Sequence, residues 1–316
     1  REHFISNLRI SRGVEFWAKY SSDLDRAQTT LGVDAAVIVS IIGVETNYGR
    51  TLGNYRVIDA LGTLAFDYYT KIEPREKRRL FFTRELENLM LLAREQNQDP
   101  LALMGSYAGA MGWGQFMPSS YRNYAIDFDQ DGSTDIWNNP TDVIGSVANY
   151  LAKHGWEAGQ PVALEAQKIE LPNEAEDPES LSHYIVNTGD TLHSIARKHS
   201  MNYRELLRIN DLKNPDLLRI GQRLKVKIDS KINKLSRPSV TLDQLRNRGI
   251  ITVKPADELT KALPLKLDAG GKYEYWMGLK NFYVISRYNP RIKYAMAVYQ
   301  LSELIRNEYC ATQPRC

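Results

Sequence analysis

One carboxylate in the chain follows a long apolar run. Ala35 to Val44 is apolar at nearly every position, as in a helix buried on all sides, and Glu45 comes directly after it. A carboxyl group there is expected to have a raised pKa, because desolvation and the negative end of the helix dipole both disfavour its charge. It can then hold a proton near neutral pH and act as a general acid. Taken alone, the run leaves a solvated glutamate at a helix end as the alternative.

An acidic loop later in the chain suits a hard cation. Asp127, Asp129 and Asp131 occupy positions one, three and five of the loop, and Gly132 is at position six. This spacing matches the opening of an EF-hand calcium loop. Position twelve is Asn138 rather than the usual glutamate, which argues against an ordinary sensor loop. A solvated acidic turn is the alternative.

Both cysteines, Cys310 and Cys316, lie in the last seven residues. A pair this local can close a small terminal loop in an oxidising compartment, whereas two exposed thiols would be reactive. We favour the disulfide. The chain begins at Arg1 without a charged and then apolar leader, so we expect that an export signal has been removed.

The composition limits the class of protein. At 316 residues and 36.1 kDa the chain favours two domains, or one domain with an insertion. With 43% hydrophobic and 25% charged residues it is neither disordered nor a coiled coil. The net charge of +3 excludes a nucleic-acid binder that relies on bulk charge, but permits attraction to an anionic polymer. No apolar run reaches the ~18 residues that cross a bilayer, so we expect no transmembrane segment in this chain.

The elements that would position these side chains are mainly helical. Apolar residues recur at helical spacing in five segments, 14–31, 34–47, 79–94, 142–153 and 290–307. Asp34 can cap the helix that carries Glu45, and Gly49 can end it. Residues 157–181 are acidic, contain proline and lack aromatic residues, which is typical of a linker. We expect a second linker at 230–238, after which the helices return.

Residues 182–228 have the pattern of a small separate unit. Alternating apolar residues predict a strand at each end, around Tyr184 and Val226, with two short helices between them. The motif Tyr-x-Val-x-x-Gly-Asp-Thr-Leu-x-x-Ile-Ala, followed by Leu206-x-x-x-Asn and Ile220-Gly-Gln-x-Leu, resembles the LysM module.

LysM modules bind the N-acetylglucosamine-containing backbones of peptidoglycan and chitin, so this resemblance implies glycan binding. Contacts in so small a unit are expected from its loops, where polar side chains can bond to acetamido and hydroxyl groups. The expected contact residues are Gly189, Asp190, Thr191, Asn214 and Ile220.

The motif Val-Glu-Thr-Asn-Tyr-Gly at 44–49 resembles the catalytic signature of the B-type lytic transglycosylases, which are murein-cleaving enzymes with a lysozyme-like core. The resemblance continues through Gly-Ser-Tyr-Ala-Gly-Ala-Met-Gly at 105–112 and Gln-Phe-Met-Pro-Ser-Ser at 115–120. Further motifs lie at 60–67, 145–150, 154–156, 275–276, 281–283 and 288–289. This implies a mainly α catalytic domain that is discontinuous in sequence, with parts at 1–156 and 238–316 and the βααβ LysM module inserted between them.

In this family one glutamate carries out both proton transfers, and the resemblance assigns them to Glu45. As an acid it would protonate the glycosidic oxygen between N-acetylmuramic acid and N-acetylglucosamine. As a base it would take the proton of the muramoyl C6 hydroxyl, which closes a 1,6-anhydro ring without water. By motif position the sugar subsites would be lined by Ser106, Gln115, Tyr150, Tyr288, Asn289 and Tyr294. For Tyr150 and Tyr294, a place in the helical core is an equal alternative.

The family also has an EF-hand-like loop at this place that ends in an aspartate. The resemblance therefore implies a structural Ca²⁺ held by the side chains of Asp127, Asp129, Asp131 and Asp142 and by the carbonyl of Ser133. The metal would pin the turn before the helix of Tyr150. We expect no organic cofactor.

Two other functions compete with the enzyme. A non-catalytic peptidoglycan-binding protein would need only the LysM-like unit, but the intact motifs around Glu45, Ser106 and Gln115 favour catalysis. A calcium sensor is disfavoured because a single hand is visible and sensor hands work in pairs. The expected partners are peptidoglycan glycan strands and not nucleic acid. We expect a monomer, in the periplasm or at the outer membrane of a Gram-negative bacterium.

Overall fold

The computed structural model describes residues 4–68, 75–169, 181–198, 203–212, 218–227, 235–270 and 272–312. The chain forms two compact units. The first contains Arg1–Val162 and Lys280–Cys316, and the second contains Ala163–Leu279. The first unit is therefore built from two distant stretches of the chain, as the sequence predicted for the helical domain. Its second stretch begins at residue 280 rather than 238.

The first unit is helical. Its helices are α1 Asn7–Lys19, α2 Ser21–Leu31, α3 Ala35–Thr46, α4 Val57–Phe66, α5 Arg75–Glu95, α6 Pro118–Tyr124, α7 Pro140–Lys153, α11 Lys280–Tyr288 and α12 Ile292–Thr312. Two short strands, β1 Tyr55–Arg56 and β2 Met104–Gly105, pair antiparallel. Four of the five predicted helical segments are confirmed as α3, α5, α7 and α12. The fifth, 14–31, is divided at Tyr20 into α1 and α2.

Helix α3 lies at the centre of this unit because it has no polar face. Every residue from Ala35 to Val44 is buried, and α1, α2, α7 and α12 pack around the helix. The side chain of Asp34 caps the helix by accepting a hydrogen bond from the Ala36 N–H at 2.9 Å. The hydroxyl of Ser40, the one polar residue in the run, donates to the Val298 carbonyl at 2.7 Å. Its burial therefore leaves no unpaired proton.

Helix α3 ends in three successive left-handed residues. Asn47, Tyr48 and Gly49 have φ angles of 52°, 61° and 78°. Asparagine and glycine adopt this conformation readily, whereas tyrosine does not. The hydroxyl of Tyr48 donates to the Arg9 carbonyl at 2.9 Å, and the missing side chain at Gly43 makes room for its ring. Packing thus holds Tyr48 in a conformation that its own backbone disfavours.

The second unit contains a five-stranded antiparallel sheet that the sequence did not predict. Its strands in spatial order are β6 Val240–Thr241, β8 Lys261–Asp268, β9 Tyr273–Gly278, β3 Ala163–Lys168 and β7 Ile250–Thr252. Helix α10, Leu242–Arg246, begins with a capping box of Thr241 and Gln244. The prediction of a linker at 157–181 is therefore wrong where β3 lies. The prediction of a helical tail from 238 is wrong where β6, β7, β8 and β9 lie. Strand β3 pairs with β9, which lies about a hundred residues later, so its local sequence shows no partner.

Residues 181–227 form the strand, helix, helix, strand order that the sequence predicted. Strand β4, Leu181–Ile185, pairs antiparallel with β5, Arg223–Lys227, and helices α8, Leu192–Lys198, and α9, Tyr203–Ile209, connect them. Asn210 ties α9 to β5, since its amide donates to the Lys225 carbonyl at 2.7 Å and its oxygen accepts from the Lys225 N–H at 2.6 Å. The small core consists of Val186, Leu192, Ile195, Ala196, Leu206, Leu224 and Val226.

Within the described residues, no single helix combines the length and the apolar character needed to cross a membrane. Helices α2 and α3 meet that test only when taken together, and a bend of 116° separates them.

A paired glycine substitution tests the packing around Tyr48. A Cβ at Gly43 would lie 2.5 Å from the Tyr48 hydroxyl oxygen, so Gly43→Ala has to displace a buried ring. We expect it to lower the free energy of unfolding by about 1–3 kcal/mol in urea denaturation. Gly62→Ala on α4 is the control, because its Cβ would have no atom within 4 Å. That change should stabilise the protein by about 0.5–1 kcal/mol. A Gly43→Ala protein as stable as the wild type would contradict this account of Tyr48.

Candidate active site

Glu45 lies in the last turn of α3 and faces a tyrosine from the other end of the chain. The hydroxyl of Tyr294, in the first turn of α12, donates a hydrogen bond to Glu45 Oε1 at 2.6 Å. Tyr294 is buried, whereas part of the Glu45 side chain remains open to solvent. The carboxyl group is therefore anchored by the protein and still accessible to a ligand.

Burial raises the pKa of Glu45 from its ordinary value of 4.5 to about 7. The surrounding protein removes the hydration that would stabilise the charge, and the hydrogen bond from Tyr294 lowers the pKa by a smaller amount. A large share of Glu45 is thus protonated at neutral pH. Such a group can donate a proton to a substrate and later take one back.

Tyr288 and Tyr150 lie in the same part of the unit. Burial is the main cause that raises the pKa of Tyr288, and the negative charge of Glu45 adds to it. The ring centroids of Tyr150 and Tyr288 are 4.7 Å apart. Their hydroxyls donate to main-chain carbonyls, from Tyr288 to Gly114 at 2.6 Å and from Tyr150 to Arg287 at 2.7 Å. Neither tyrosine therefore has a free hydroxyl proton. Tyr150 is buried in the helical core, whereas Tyr288 is partly exposed.

Gln115 lies on the glycine-rich turn between β2 and α6, against the loop that follows α3. Its backbone is left-handed, with φ 52°. Its amide nitrogen donates to the carbonyls of Leu52 and Gly112 at 3.3 and 3.0 Å. A Cβ at Gly53 would overlap the backbone of the turn, so loop and turn are closely packed. Gln115 therefore joins the loop after α3 to the glycine-rich turn. Because its amide nitrogen is used in these bonds, its predicted contact with substrate depends on its side-chain oxygen.

Ser106 and Asn289 have polar groups that remain available. The Ser106 hydroxyl accepts from the Ala110 N–H at 3.1 Å, and its own proton has no acceptor among the described residues. Asn289 follows α11, and its side-chain amide has no hydrogen bond within the described part of the chain either. Both side chains are partly exposed.

Sequence reasoning missed Thr46 and Tyr48, which fix the geometry behind Glu45. The Thr46 hydroxyl donates to the Trp113 carbonyl at 2.9 Å and accepts from the Gly49 N–H at 3.1 Å. It thereby ties the end of α3 to the glycine-rich turn. A threonine next to the glutamate of a buried helix was a signal for such an inward hydroxyl. The positive φ of Tyr48 had no signal in the sequence.

The acidic loop brings three carboxylates together. Ligand oxygens of Asp127, Asp129 and Asp142 lie within 4.8 Å of one another. Burial raises the pKa of Asp142, in the first turn of α7, and a hydrogen bond from Asn139 lowers that of Asp129. Like charges this close repel unless a cation lies among them, and carboxylate oxygens are ligands that Ca²⁺ prefers. The donor set therefore fits a calcium ion.

Asp131 is not part of this group. Its Oδ1 accepts from the Ser133 N–H at 2.8 Å, and its own N–H donates to Asp127 Oδ1 at 3.1 Å. The predicted ligand set is thus only partly assembled, because the Asp131 carboxylate holds the turn. The contribution of the Ser133 carbonyl stays a prediction.

The acidic loop is bonded to the glycine-rich turn. The Trp113 N–H donates to the Ile136 carbonyl at 3.0 Å, and the Trp113 indole donates to the Trp137 carbonyl at 2.8 Å. Trp113 lies two residues before Gln115 on the turn. These bonds couple the conformation of the acidic loop to that of the glycine-rich turn beside Glu45.

In the βααβ unit, two predicted glycan contacts have internal partners. Asp190 accepts from the Tyr184 hydroxyl at 2.7 Å and from the Asn187 N–H at 2.8 Å. Thr191 and Ser194 form a reciprocal cap at the start of α8, with bonds of 2.9 and 3.0 Å. These side chains stabilise the unit, which makes them poor candidates for direct contact with sugars.

Two further contacts predicted in this unit remain open to a ligand. Ile220 is 70% exposed, and Gly189 lies in an exposed turn with φ 85°. The predicted contact Asn214 lies outside the described residues. So does Cys316, and its disulfide with Cys310 therefore stays a prediction.

The first unit and its site define a lysozyme-like helical domain with one desolvated carboxylic acid beside tyrosine rings. The chain matches the Transglycosylase SLT domain family over residues 1–206 and 216–303. It is 38% identical over 307 residues to the membrane-bound lytic murein transglycosylase B of Escherichia coli (strain K12), and the match covers 96% of this chain and 66% of that protein. The chain belongs to the SLT lytic transglycosylase family.

Two solved structures cover nearly the whole chain. The soluble lytic transglycosylase SltB1 from Pseudomonas aeruginosa is 42% identical, with a TM-score of 0.73, over 98% of this chain and 82% of that one. The Escherichia coli lytic transglycosylase Slt35 in complex with calcium is 36% identical, with a TM-score of 0.70, over 98% of this chain and 77% of that one. The predicted B-type family is thereby confirmed.

The extent of these matches bears on the βααβ unit. The family match continues to residue 206 and resumes at 216, so it includes β4, α8 and β5. The expected interruption of the family's domain at 182–228 is therefore not supported, since most of this unit lies within the matched residues.

Tyr294→Phe tests how the Glu45 pKa is set. The change removes the hydroxyl that donates to the carboxylate and keeps the ring, so the Glu45 pKa should rise above about 7. The acid form then persists to higher pH, and the alkaline limb of kcat/KM on murein should move to higher pH. Tyr309→Phe, on the same helix, should leave that limb unchanged. An alkaline limb that stays in place or moves to lower pH in Tyr294→Phe would argue against this role.

Proposed function

We propose that this protein is a lytic transglycosylase that cleaves the β-1,4 bond between N-acetylmuramic acid and N-acetylglucosamine in peptidoglycan without water. The products would carry 1,6-anhydromuramoyl ends. The observation that carries the proposal is the single glutamate with a pKa near 7. The groups that shift this pKa are the surrounding protein and Tyr294, and they include no second carboxylate among the described residues.

One carboxyl group is sufficient for this reaction. Protonated Glu45 donates its proton to the glycosidic oxygen as the bond from C1 breaks, and the N-acetylglucosamine side leaves as an alcohol. The muramoyl acetamido oxygen stabilises the positive charge that develops at C1. The Glu45 carboxylate then removes the proton of the C6 hydroxyl, whose oxygen attacks C1. Glu45 ends protonated, as it began, and no water is consumed.

Neighbouring residues support this sequence of steps. Tyr294 holds Glu45 Oε1, which leaves the other carboxyl oxygen for the substrate. The partly exposed ring of Tyr288 offers apolar surface for a sugar, with the buried ring of Tyr150 packed against it. The free groups of Ser106 and Asn289 can bond to the hydroxyl and acetamido groups of the sugar. The alternative, a non-catalytic peptidoglycan-binding protein, does not account for a glutamate with this pKa.

Glu45→Gln tests the catalytic proposal. The amide keeps the shape of the side chain and an acceptor for Tyr294, but it has no acidic proton. We expect kcat on murein to fall at least about a hundredfold, with unchanged circular dichroism. Glu87→Gln, an exposed change on α5, is the control and should retain full activity.

The products give a second readout of the same experiment. Mass spectrometry of a wild-type digest should show anhydro ends, which are one water lighter than reducing ends. Reducing ends as the main product, or retention of more than about a hundredth of kcat in Glu45→Gln, would contradict the proposal.

We infer that the acidic loop binds a structural Ca²⁺ through Asp127, Asp129 and Asp142. The three carboxylates converge, and the loop is bonded to Trp113 on the turn beside Glu45. The ion would relieve their repulsion and so hold that turn. It would take no part in bond cleavage.

Thermal unfolding tests the calcium site. An excess of Ca²⁺ of about 100 times its Kd should add about 2.7 kcal/mol to the free energy of unfolding, and so raise Tm relative to chelator. Asp127→Asn should abolish the increment, whereas the exposed Asp25→Asn on α2 should preserve it. Equal Tm values in calcium and chelator for the wild type would exclude the site.

We further propose that the βααβ unit is a LysM module that tethers the enzyme to murein. Its element order and the Asn210 link between α9 and β5 support this assignment. Its exposed contact would lie at Ile220 and Gly189, because Asp190 and Thr191 are engaged within the unit.

Ile220→Ala in the full chain tests the tether. Loss of an exposed apolar contact worth about 1 kcal/mol should weaken binding to insoluble murein about fivefold in a sedimentation assay. Leu259→Ala is the control, because Leu259 is 77% exposed and lies outside the βααβ unit. Cleavage of short soluble oligosaccharides should be unaffected. Equal binding by both variants and the wild type would remove the tethering role from this surface.

The setting follows from the proposed substrate. We propose that the protein acts as a monomer on peptidoglycan strands in the periplasm or at the outer membrane of a Gram-negative bacterium. The Escherichia coli relative is described as membrane-bound, which supports this location.

A further inference from the structure

A cavity lies in the helical unit, away from Glu45. It has a volume of about 290 Å³, is partly open to solvent, and is lined by the start of α3, the segment 156–162 and the middle of α12. Asp34 at its edge and Glu45 are eleven positions apart along the same helix. At 1.5 Å per residue this is about 16 Å along the helix axis. The cavity is therefore separate from the sugar subsites next to Glu45.

The charges in the cavity exclude two classes of ligand. Arg306 Nη2 pairs with Asp34 Oδ2 at 2.6 Å, and Arg306 Nε lies 3.7 Å from Glu303 Oε1. Two carboxylates outnumber the one guanidinium, so an anion would meet repulsion. A small cation would have to displace Arg306, which already occupies the place between the carboxylates. A neutral ligand is favoured.

The rest of the lining is suited to a sugar. The side chains of Trp156 and Tyr299 line the cavity beside those of Gln160 and Ser302. Among the described residues, neither the Trp156 indole N–H nor the Gln160 amide has a hydrogen-bond partner. The Ser302 hydroxyl donates to the Tyr299 carbonyl at 2.7 Å and can still accept. Aromatic side chains next to the donors of Trp156 and Gln160 and the acceptor of Ser302 suit a pyranose ring with several hydroxyl groups.

The size of the cavity limits the ligand to one ring. Pockets for small molecules begin at roughly 300 Å³, and this cavity lies at that lower limit. We propose that it binds a single pyranose unit of the N-acetylhexosamine class, as a glycan site distinct from the Glu45 groove and from the βααβ unit. This site does not depend on the catalytic proposal, since none of its lining residues takes part in the proton transfers.

Tryptophan indole signals provide a direct test on the full-length wild-type protein. The chain has five tryptophans, so a ¹⁵N-indole spectrum is simple, and the signal missing in Trp156→Phe identifies Trp156. N-acetylglucosamine monosaccharide is the probe. We expect a saturable shift of the Trp156 signal. Gln160→Ala and Arg306→Gln should each weaken the Kd from this signal, by about fivefold for the amide and tenfold for the charged group.

The control is Gln300→Ala, an amide on α12 that does not line the cavity, and it should leave this Kd unchanged. Gln160 is exposed, so its truncation should leave the fold intact even if Arg306→Gln destabilises α12. Absence of a saturable Trp156 shift, or a Kd unaffected by Gln160→Ala and Arg306→Gln, would overturn the proposal. So would a shift caused by the amine of Nα-acetyl-lysine amide but not by the sugar.

Discussion

The central constraint in this protein is that one carboxyl group loses its hydration and still remains partly open to solvent. Burial raises the Glu45 pKa to about 7. This requires α3 to be enclosed along its whole length, and α1, α2, α7 and α12 enclose it. Helix α12 comes from the far end of the chain and adds both the bond between Ser40 and Val298 and the hydroxyl of Tyr294. The pKa of Glu45 is therefore a property of the closed domain, and neither stretch of the chain can produce it alone.

The short segment after Glu45 places the end of this buried helix beside the glycine-rich turn. A helix that continued past Thr46 would carry the chain away from the glycine-rich turn. Three left-handed residues reverse it instead, and the disfavoured one, Tyr48, is held by its bond to the Arg9 carbonyl. Thr46 then joins the reversed segment to Trp113, and Trp113 joins the turn to the acidic loop. Local backbone strain is thus maintained by bonds to α1 and to the glycine-rich turn, and that turn is itself bonded to the acidic loop.

The sequence predicted the features that depend on local pattern, and it failed where partners are distant. The apolar run, its Asp34 cap and the βααβ order each depend on residues that are close together in the sequence. The structure contains all three. Strand β3 contains glutamate, glutamine and lysine and reads as a linker, because what makes it a strand is pairing with β9 and β7. The same limit applies to side chains. Motif position brought Tyr288 onto the list of ligand contacts, and a polar side chain on a surface loop brought Asp190 there. Only the fold shows that Gly114 and Tyr184 already take up their polar groups.

A single residue that must first give and then accept a proton has a narrow useful range of pKa. If the pKa lay near 4.5, Glu45 would be ionised at neutral pH and could not begin the reaction, whereas a much higher pKa would favour the acid form in every step. Burial and the Tyr294 hydrogen bond act in opposite directions on this pKa, and burial is the larger effect. The hydrogen bond from Tyr294 lowers the pKa, so it stabilises the ionised form of Glu45. In the proposed reaction the pair would support both steps: burial favours the acid that would start the cleavage, and Tyr294 favours the base that would close the ring.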